Sequence, residues 1–304
     1  MEYANKGYRS AIMAFVLLWC IWGYSWVVMK RGLQFAVPID FAMLRTLVGT
    51  ITLFTVLIIL RKPLLPQAVG GTVILGLFQT SGNLVLMNSA LAFGGAGKVS
   101  VLCFTMPFWT LLLARIFLGE KIRGLQWLAV LLAFAGLVLI VEPWRLHATF
   151  LSEILAVCGG ISWAASAIVA KQIRARHDLQ LLSLTAWQML FGFLPLLTMS
   201  WIVPSRPIEW SGYFIFSLLF AGMLATGAGW LLWLYVLNHL PAGTASLNAL
   251  AIPAIAVLAA WLELGEKPSS FELSGMLCIA VALAVIAATA MRQHIEVNPE
   301  MAQE

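Results

Sequence analysis

Apolar residues form long runs along the whole chain, and short polar breaks separate them. Each run approaches the ~20 residues that a helix needs to cross a hydrocarbon core about 30 Å thick. The breaks carry glycine, proline and charged residues, as at 94–97 and 265–268, which is typical of turns. The pattern predicts ten transmembrane helices, over 10–30, 39–60, 69–93, 97–117, 124–141, 150–171, 181–203, 211–237, 242–262 and 271–291.

Composition supports a lipid environment. Of the 304 residues, 62% are hydrophobic and 10% are charged, with a mean hydropathy of +0.94, whereas soluble domains carry about 25% charged residues. The predicted fold class is therefore an all-α integral membrane protein. The first run continues through bulky Trp22, Tyr24 and Trp26 without a small-residue cleavage pattern, so we interpret it as a permanent span and not as a signal peptide.

Charge and cysteine usage exclude other classes of protein. The net charge of +5 comes from short Lys and Arg clusters between apolar runs, which is typical of membrane-surface loops and not of a nucleic-acid partner. The four cysteines lie inside apolar runs without CxxC spacing, so neither a disulfide framework nor a metal site is predicted. The excess of Lys and Arg on one side of the ten predicted spans places both termini in the cytoplasm.

An internal repeat divides the chain. Trp22, Gly23, Ser25 and Lys30 correspond to Trp163, Ala164, Ser166 and Lys171, each 141 residues later. Further along, the offset becomes 146, and it relates Gly76, Gly97, Ser100, Pro107 and Leu118-Gly119-Glu120-Lys121 to Gly222, Gly243, Ser246, Pro253 and Leu264-Gly265-Glu266-Lys267. We predict a first five-helix repeat over 1–146, a second over 147–292 and a polar C-terminal tail over 293–304. Because each half has an odd number of spans, the halves should have inverted topology, an arrangement used for alternating access.

The same residues carry a family resemblance. Trp22-Gly23 with Lys30, Leu44-Arg45, and Leu118-Gly119-Glu120-Lys121 resemble the bacterial drug/metabolite transporter superfamily, and most closely its ten-helix EamA-type members. The resemblance covers essentially the whole chain. It implies a multi-pass carrier of the bacterial inner membrane, in a family whose members mostly export amino acids and related metabolites, while some import sugars or nucleosides. The second half departs from the pattern, because Trp187-Gln188 stands where the first half has Leu44-Arg45.

Arg45 is the main candidate for substrate binding, because it is an arginine well inside a predicted span. A charge at this depth is costly and usually faces a cavity or a partner, although snorkelling to the outer headgroups is an open alternative. A substrate carboxylate or phosphate would be its natural partner. Asn83 and several tryptophans are further cavity candidates, with interhelical bonding or ordinary packing as the alternative. The predicted substrate-binding set is Trp22, Arg45, Asn83, Trp163, Trp187 and Trp230.

Pro107 and Pro253 fall near the middle of symmetry-related predicted spans. Each should kink its helix by removing a backbone hydrogen bond, which suggests a gating role; a purely packing kink is the alternative. The glycines at 76, 222, 227 and 229 are interpreted as sites of close helix contact, and Ser246 and Asn248 as minor polar candidates.

The carboxylates lie near predicted helix ends and not at mid-membrane depth. Proton-coupled carriers often use buried acidic relays, so we favour facilitated diffusion or exchange.

The expected function is secondary transport of small polar metabolites, with amino acids leading and export favoured. Import or exchange of sugars or nucleosides is the alternative. An intramembrane enzyme or a non-transporting scaffold is more distant, since no catalytic cluster and no sizeable soluble domain is visible. No catalytic residue, metal or cofactor is predicted. The expected partners are a small-molecule substrate and the lipid bilayer, and both a monomer and a homodimer stay open.

Overall fold

The computed structural model describes residues 2–122, 124–144, 149–239 and 248–297, with side chains over most of these ranges. Within them the regular structure is entirely helical. The helices are α1 (Glu2–Gly32), α2 (Pro38–Ile59), α3 (Val69–Gly76), α4 (Asn83–Phe93), α5 (Ala96–Cys103), α6 (Met106–Phe117), α7 (Leu125–Val141), α8 (Phe150–Arg176), α9 (Leu181–Ile202), α10 (Gly212–Leu219), α11 (Gly229–His239), α12 (Asn248–Leu264) and α13 (Ser270–Val297).

Two of the predicted spans contain π-helical segments. Leu77–Gly82 joins α3 to α4, and Phe220–Ala228 joins α10 to α11. Each of these two spans is therefore one continuous helix with π-helical turns in its middle. The hydroxyl of Thr226 donates a 2.8 Å hydrogen bond to the carbonyl of Ala221, five residues earlier. Segments of this kind are rare and are frequently found at functional sites. The hydrophobic pattern gave no sign of them.

The prediction of an all-α membrane protein is confirmed. Eight helices in the described ranges are long and apolar enough to cross a bilayer, and two shorter apolar helices cover Leu125–Val141 and Ala251–Leu264. Many large apolar side chains are exposed on the outside, as expected of a surface in contact with lipid. The ten-span count stays a prediction. At the C-terminus, α13 continues to Val297, into the segment expected to be a polar tail; Ser246 lies outside the described residues.

The fourth predicted span is broken, which corrects one expectation. Helix α5 ends at Cys103 and α6 begins at Met106, so Pro107 lies in the first turn of α6 and not in the middle of a helix. Proline fits the first turn because its missing N–H would have no helical partner there. Pro253 does lie inside α12, and α9 contains a further internal proline, Pro195.

Helix packing brings distant parts of the chain together. Helix α1 packs against α12, α2 against α9, α7 against α13, and α8 against α4, α5 and α6. Small residues allow close approach: a Cβ added at Gly136 of α7 would lie 2.7 Å from the carbonyl oxygen of Gly275 in α13. Such contacts are the usual means of association between membrane helices, because lipid gives no hydrophobic drive for it. The two π-helical segments pack against α9 and α2, respectively.

Candidate functional site

Two connected cavities lie between the helices. The inner cavity, which we call the chamber, has a volume of about 120 Å³. The larger cavity, which we call the vestibule, has a volume of about 1010 Å³, at the upper end of the range for small-molecule sites. The chamber and the vestibule have six wall residues in common: Trp22, Gln79, Phe104, Trp163, Gln188 and Trp230.

The chamber wall combines aromatic and sulfur-containing side chains with a few polar ones. Its polar members are Ser25, Arg45, Gln79, Thr80, Asn83, Gln188 and Thr226, and its aromatic members are Trp22, Trp26, Phe104, Trp163 and Trp230. An apolar cavity with a small number of placed polar groups is typical of a site for a small molecule. Among the residues of the wall that the structure describes, Arg45 is the only one with a formal charge.

The structure places most of the predicted site residues around the chamber. Trp22, Arg45, Asn83, Trp163 and Trp230 all contribute to its wall. Their role in binding stays a prediction.

Trp187 is the exception, because it lines neither cavity. Its indole Nε1 donates to the Leu64 carbonyl at 2.9 Å, and its ring packs edge-on against Phe54. Its neighbour Gln188 reaches the chamber instead. Successive residues of a helix point about 100° apart, so only one of the two can face inward.

Arg45 is held inside the protein by neutral groups. The residue is 7% exposed, and its guanidinium contacts the Met29 sulfur at 2.8 Å and the Thr226 hydroxyl at 3.4 Å. Its Nε has no hydrogen-bond partner among the described residues. The side chain therefore does not snorkel to a surface, and it brings a positive charge to the chamber.

Gln188 occupies a matching position across the fold. Its amide oxygen accepts a 3.0 Å hydrogen bond from the Thr80 hydroxyl, while its Nε2 lacks a partner in the described part of the chain. The residue is 1% exposed. Thr80 and Thr226 each lie in a π-helical segment and are 146 residues apart. The contact of Gln188 with Thr80 is therefore the counterpart of the contact of Arg45 with Thr226. The sequence aligns Gln188 with Arg45. A neutral amide inside a span is less costly than a charge, however, so burial alone does not mark Gln188 as a candidate.

Trp22 is fixed at the boundary between the two cavities. Its indole Nε1 donates a 2.7 Å hydrogen bond to the carbonyl of Ala225, and its ring meets Trp230 at a centroid distance of 6.0 Å. A Cβ at Gly229 would lie 2.3 Å from the same indole nitrogen. A side chain at position 229 would clash with the indole of Trp22, so Gly229 allows this ring to pack against the start of α11.

Trp163 and Asn83 complete the wall on the opposite side. The Trp163 ring packs edge-on against Phe104 at 5.5 Å, and the Asn83 amide donates a 3.0 Å hydrogen bond to the Gly159 carbonyl. Asn83 thus makes the interhelical bond that was one interpretation of it, while also lining the chamber. A side chain already bonded to the backbone is a rigid part of the wall.

The vestibule leads from the chamber toward solvent. Pro107 lines it, together with exposed side chains such as Glu120 and Lys171, which form an ion pair. Glu120 belongs to the repeated block Leu118-Gly119-Glu120-Lys121, and the structure adds that it lines the vestibule.

Ion pairs lie at the opposite end of the bundle, with Glu153 fully buried and Lys98 and Glu272 partly exposed. Lys98 bonds Glu153 at 3.0 Å and also pairs with Glu272. Glu153 is near the start of α8, whereas Lys171 is 18 residues further along it, which corresponds to about 27 Å of helix.

Lys30 caps the C-terminus of α4, near the same end of the bundle as Lys98. Its ammonium donates to the Leu91 and Gly94 carbonyls at 2.7 and 2.8 Å, which are left free at the C-terminus of α4. The vestibule thus lies toward one end of the bundle, and side chains from α1, α5, α8 and α13 bond to their neighbours at the other end, which we call the closed end.

Comparison with known proteins gives consistent results. The chain is 28% identical to the uncharacterized transporter YoaV of Bacillus subtilis, over 94% of this chain and 99% of that protein. It is 26% identical to a probable amino-acid metabolite efflux pump of Salmonella typhimurium, over 88% and 91% of the two chains. A solved crystal structure superimposes with a TM-score of 0.65 at 14% identity, covering 94% of this chain and 99% of the other, which shows a shared fold.

The family assignment rests on a match in both parts of the chain. Residues 9–142 and 150–288 each match the EamA-like transporter family, so the match extends over most of the sequence. A cavity inside a bundle of apolar helices is the architecture that a membrane transporter needs. The chain belongs to the EamA-like transporter family.

Proposed function

We propose that the protein is a secondary transporter that moves small polar metabolites, amino acids or related compounds, across the membrane by alternating access. The observation that carries this proposal is the chamber that opens through the vestibule to one end of the bundle. At the other end, Lys98 pairs with Glu153 and Glu272 and so joins α5 to α8 and α13; in the proposed mechanism these contacts close the path. A binding site accessible from one side at a time is the structural requirement of such a mechanism.

Matched contacts support a mechanism of two inverted halves, 1–146 and 147–292. The Thr80–Gln188 bond has its counterpart in the Thr226–Arg45 bond. The hydroxyls of Ser25 and Ser166 bond the carbonyls three residues before them, at Trp22 and Trp163. Rocking of one half against the other would open the closed end and close the vestibule.

The direction of transport and the cellular location belong to the same proposal. The Salmonella relative is named as a probable efflux pump for amino-acid metabolites, which favours export from the cytoplasm through a bacterial inner membrane. The Lys and Arg bias of the loops supports a cytoplasmic location for both termini, and with them for the vestibule. The structure would then have the orientation that loads substrate from inside. Membership of a transporter family argues against an enzyme.

Facilitated diffusion or exchange is the mode of energy coupling that we propose. Within the described wall of the chamber there is no carboxylate that could carry a proton, and Glu153 is committed to Lys98 at the closed end. An imposed pH gradient should therefore not drive accumulation in proteoliposomes. Accumulation against a concentration gradient would overturn this mode without affecting the assignment of a transporter.

Counterflow in proteoliposomes tests the function directly. Vesicles preloaded with one compound and diluted into its radiolabelled form should take up label transiently if the compound is a substrate. The panel should contain amino acids, sugars, nucleosides and organic cations, with protein-free vesicles as the control. Uptake confined to amino acids and related compounds is the expected result. Uptake confined to sugars or nucleosides would replace the substrate class, and no uptake of any compound would contradict a transporter of small metabolites.

A further inference from the structure

We infer that the chamber selects its substrate by a single carboxylate on an otherwise apolar body, and that it does not require an amino group. The inference rests on the proposed function and deepens it, because it names the chemical group that the site recognises. It follows from two side chains with spare donors, Arg45 and Gln188, in a wall that is otherwise mostly apolar.

The charge of the chamber defines the sign of the ligand. Arg45 is buried, and its hydrogen-bond partners among the described residues are the neutral Met29 and Thr226. A buried charge without a counterion costs several kcal/mol, so the site is prepared for an anion. The described part of the wall contains one cation and no acidic side chain, which matches a monoanion. A dianionic phosphate ester would leave a net negative charge in apolar surroundings.

The donor pattern indicates a carboxylate. The guanidinium fork matches the two oxygens of a carboxylate in geometry. Arg45 Nε and Gln188 Nε2 are N–H groups without partners in the described protein. An unsatisfied buried donor costs about 1–3 kcal/mol, and a carboxylate has enough lone pairs to accept hydrogen bonds from both side chains. Both side chains are already anchored through threonines of the π-helical segments.

The rest of the described wall fits an apolar body and contains no counterion for an ammonium. Trp22, Trp163 and Trp230 surround the passage from the chamber to the vestibule. A chamber of about 120 Å³ far exceeds the ~10–15 Å³ that one water needs, so it accepts a head group of several atoms while the body extends into the vestibule. An ion pair with an amino group would call for a carboxylate in the wall, and the described wall residues of the chamber supply none.

A series of compounds sharing one benzene ring tests the inference. Binding to the wild-type protein in nanodiscs is measured by calorimetry, and transport by counterflow, for 3-phenylpropionate, phenylalanine, phenylethylamine and phenyl phosphate. We expect 3-phenylpropionate to bind at least as well as phenylalanine, and the amine and the phosphate to bind at least about tenfold more weakly, the loss of about one charge-assisted hydrogen bond. Equal or tighter binding of the amine or the phosphate would overturn the inference, as would a requirement for the amino group.

Variants assign the recognition to the two donors. Arg45→Met should weaken binding of 3-phenylpropionate by about 10- to 100-fold and Gln188→Met by about three- to tenfold. Arg115→Met and Gln172→Met are matched controls, since both residues are exposed and line neither cavity; they should bind as the wild type does. Should Arg45→Met not fold, Arg45→Lys keeps the charge but loses the fork, and it should lower affinity for the carboxylate.

The outcomes separate this inference from the proposed function. Binding of the carboxylate that depends on Arg45, without counterflow, would support the carboxylate site and contradict transport. Counterflow of amines or sugars that survives Arg45→Met would support transport and overturn the carboxylate site. Wild-type affinity in both Arg45→Met and Gln188→Met would also overturn it.

Discussion

The hydroxyl of Thr80 donates a 3.0 Å hydrogen bond to the amide oxygen of Gln188, and this bond joins a π-helical segment to α9. Both residues are almost fully buried and both line the chamber. The bond therefore sets the orientation of the amide from within the wall. It also shows that the chamber is built at a helix–helix contact and not in a loop, which gives its walls little freedom.

Replacing Thr80 by valine should destabilise the protein and weaken substrate binding. The change keeps the shape of the side chain but removes the hydroxyl, so that the Gln188 amide is left without its partner at a cost of about 1–3 kcal/mol. Thermal unfolding in detergent measures the loss of stability, and counterflow measures binding through KM. Thr55→Val is the control, because that hydroxyl bonds the Ile51 carbonyl of its own helix and the residue lines neither cavity. Equal melting temperatures for the two variants would contradict the role of this bond.

Gly192→Ala should be strongly destabilising. A Cβ there would lie 2.3 Å from Thr80 Cβ and 2.6 Å from the Gly76 carbonyl oxygen, and neither backbone can yield without separating the helices. Overpacking of this kind costs about 1–3 kcal/mol. Gly70→Ala is a helical control with nothing within 4 Å of the new atom, and it should be neutral or stabilising by up to about 1 kcal/mol. The measurement is the melting temperature of each variant, and similar shifts in the two would refute the close contact.

Lys98→Met should disrupt the closed end of the bundle. Glu153 is fully buried, and loss of the ammonium removes its ion pair with Lys98 together with that of Glu272; breaking a buried pair costs about 3–5 kcal/mol. Lys171→Met removes the partner of Glu120 in an exposed pair, which contributes at most about 1 kcal/mol. Thermal unfolding of the two variants compares them. If both lose the same stability, the ion pairs of Lys98 do not hold this end together.

Cysteine labelling should show which end is open. In a background without the four native cysteines, Ala170→Cys places a thiol in the vestibule, whereas Ala90→Cys places one at a fully buried position. A membrane-impermeant maleimide should label the first in inside-out vesicles, hardly label it in right-side-out vesicles, and leave the second unlabelled in both. Labelling of Ala170→Cys from the outside alone would reverse the proposed orientation.

Much of the fold could be predicted from the sequence because membrane spans have a simple physical signature. Run length and turn residues located helices such as α2 and α7 to within a residue or two. Breaks inside a span were harder to predict. The interruption after Cys103 depends on the approach of α8, where a Cβ at Gly160 would lie 2.9 Å from the Cys103 carbonyl oxygen. Such tertiary contacts leave no periodic trace in one sequence.

The chamber was partly predictable for a related reason. Arg45 could be identified because a cation within a span is expensive, and Trp22 and Trp163 because they repeat at a fixed offset. Gln188 gives a weaker signal in the sequence, because a buried amide is less costly than a buried charge. The aromatic residue beside it, Trp187, is more prominent but lines neither cavity. Which of two neighbours faces inward depends on helix rotation, and that is set by packing.

The π-helical segments have a consequence for the orientation of the residues that follow them. Each forms a wide turn that holds about one more residue than an α-helix over the same rotation. If Leu77–Gly82 were wound as an ordinary α-helix with the same number of residues, every later residue of that span would turn by about 100° relative to the first part. Asn83 and Met87 would then point away from the chamber. The winding of this segment, and not only the identity of its residues, therefore determines which side chains line the chamber.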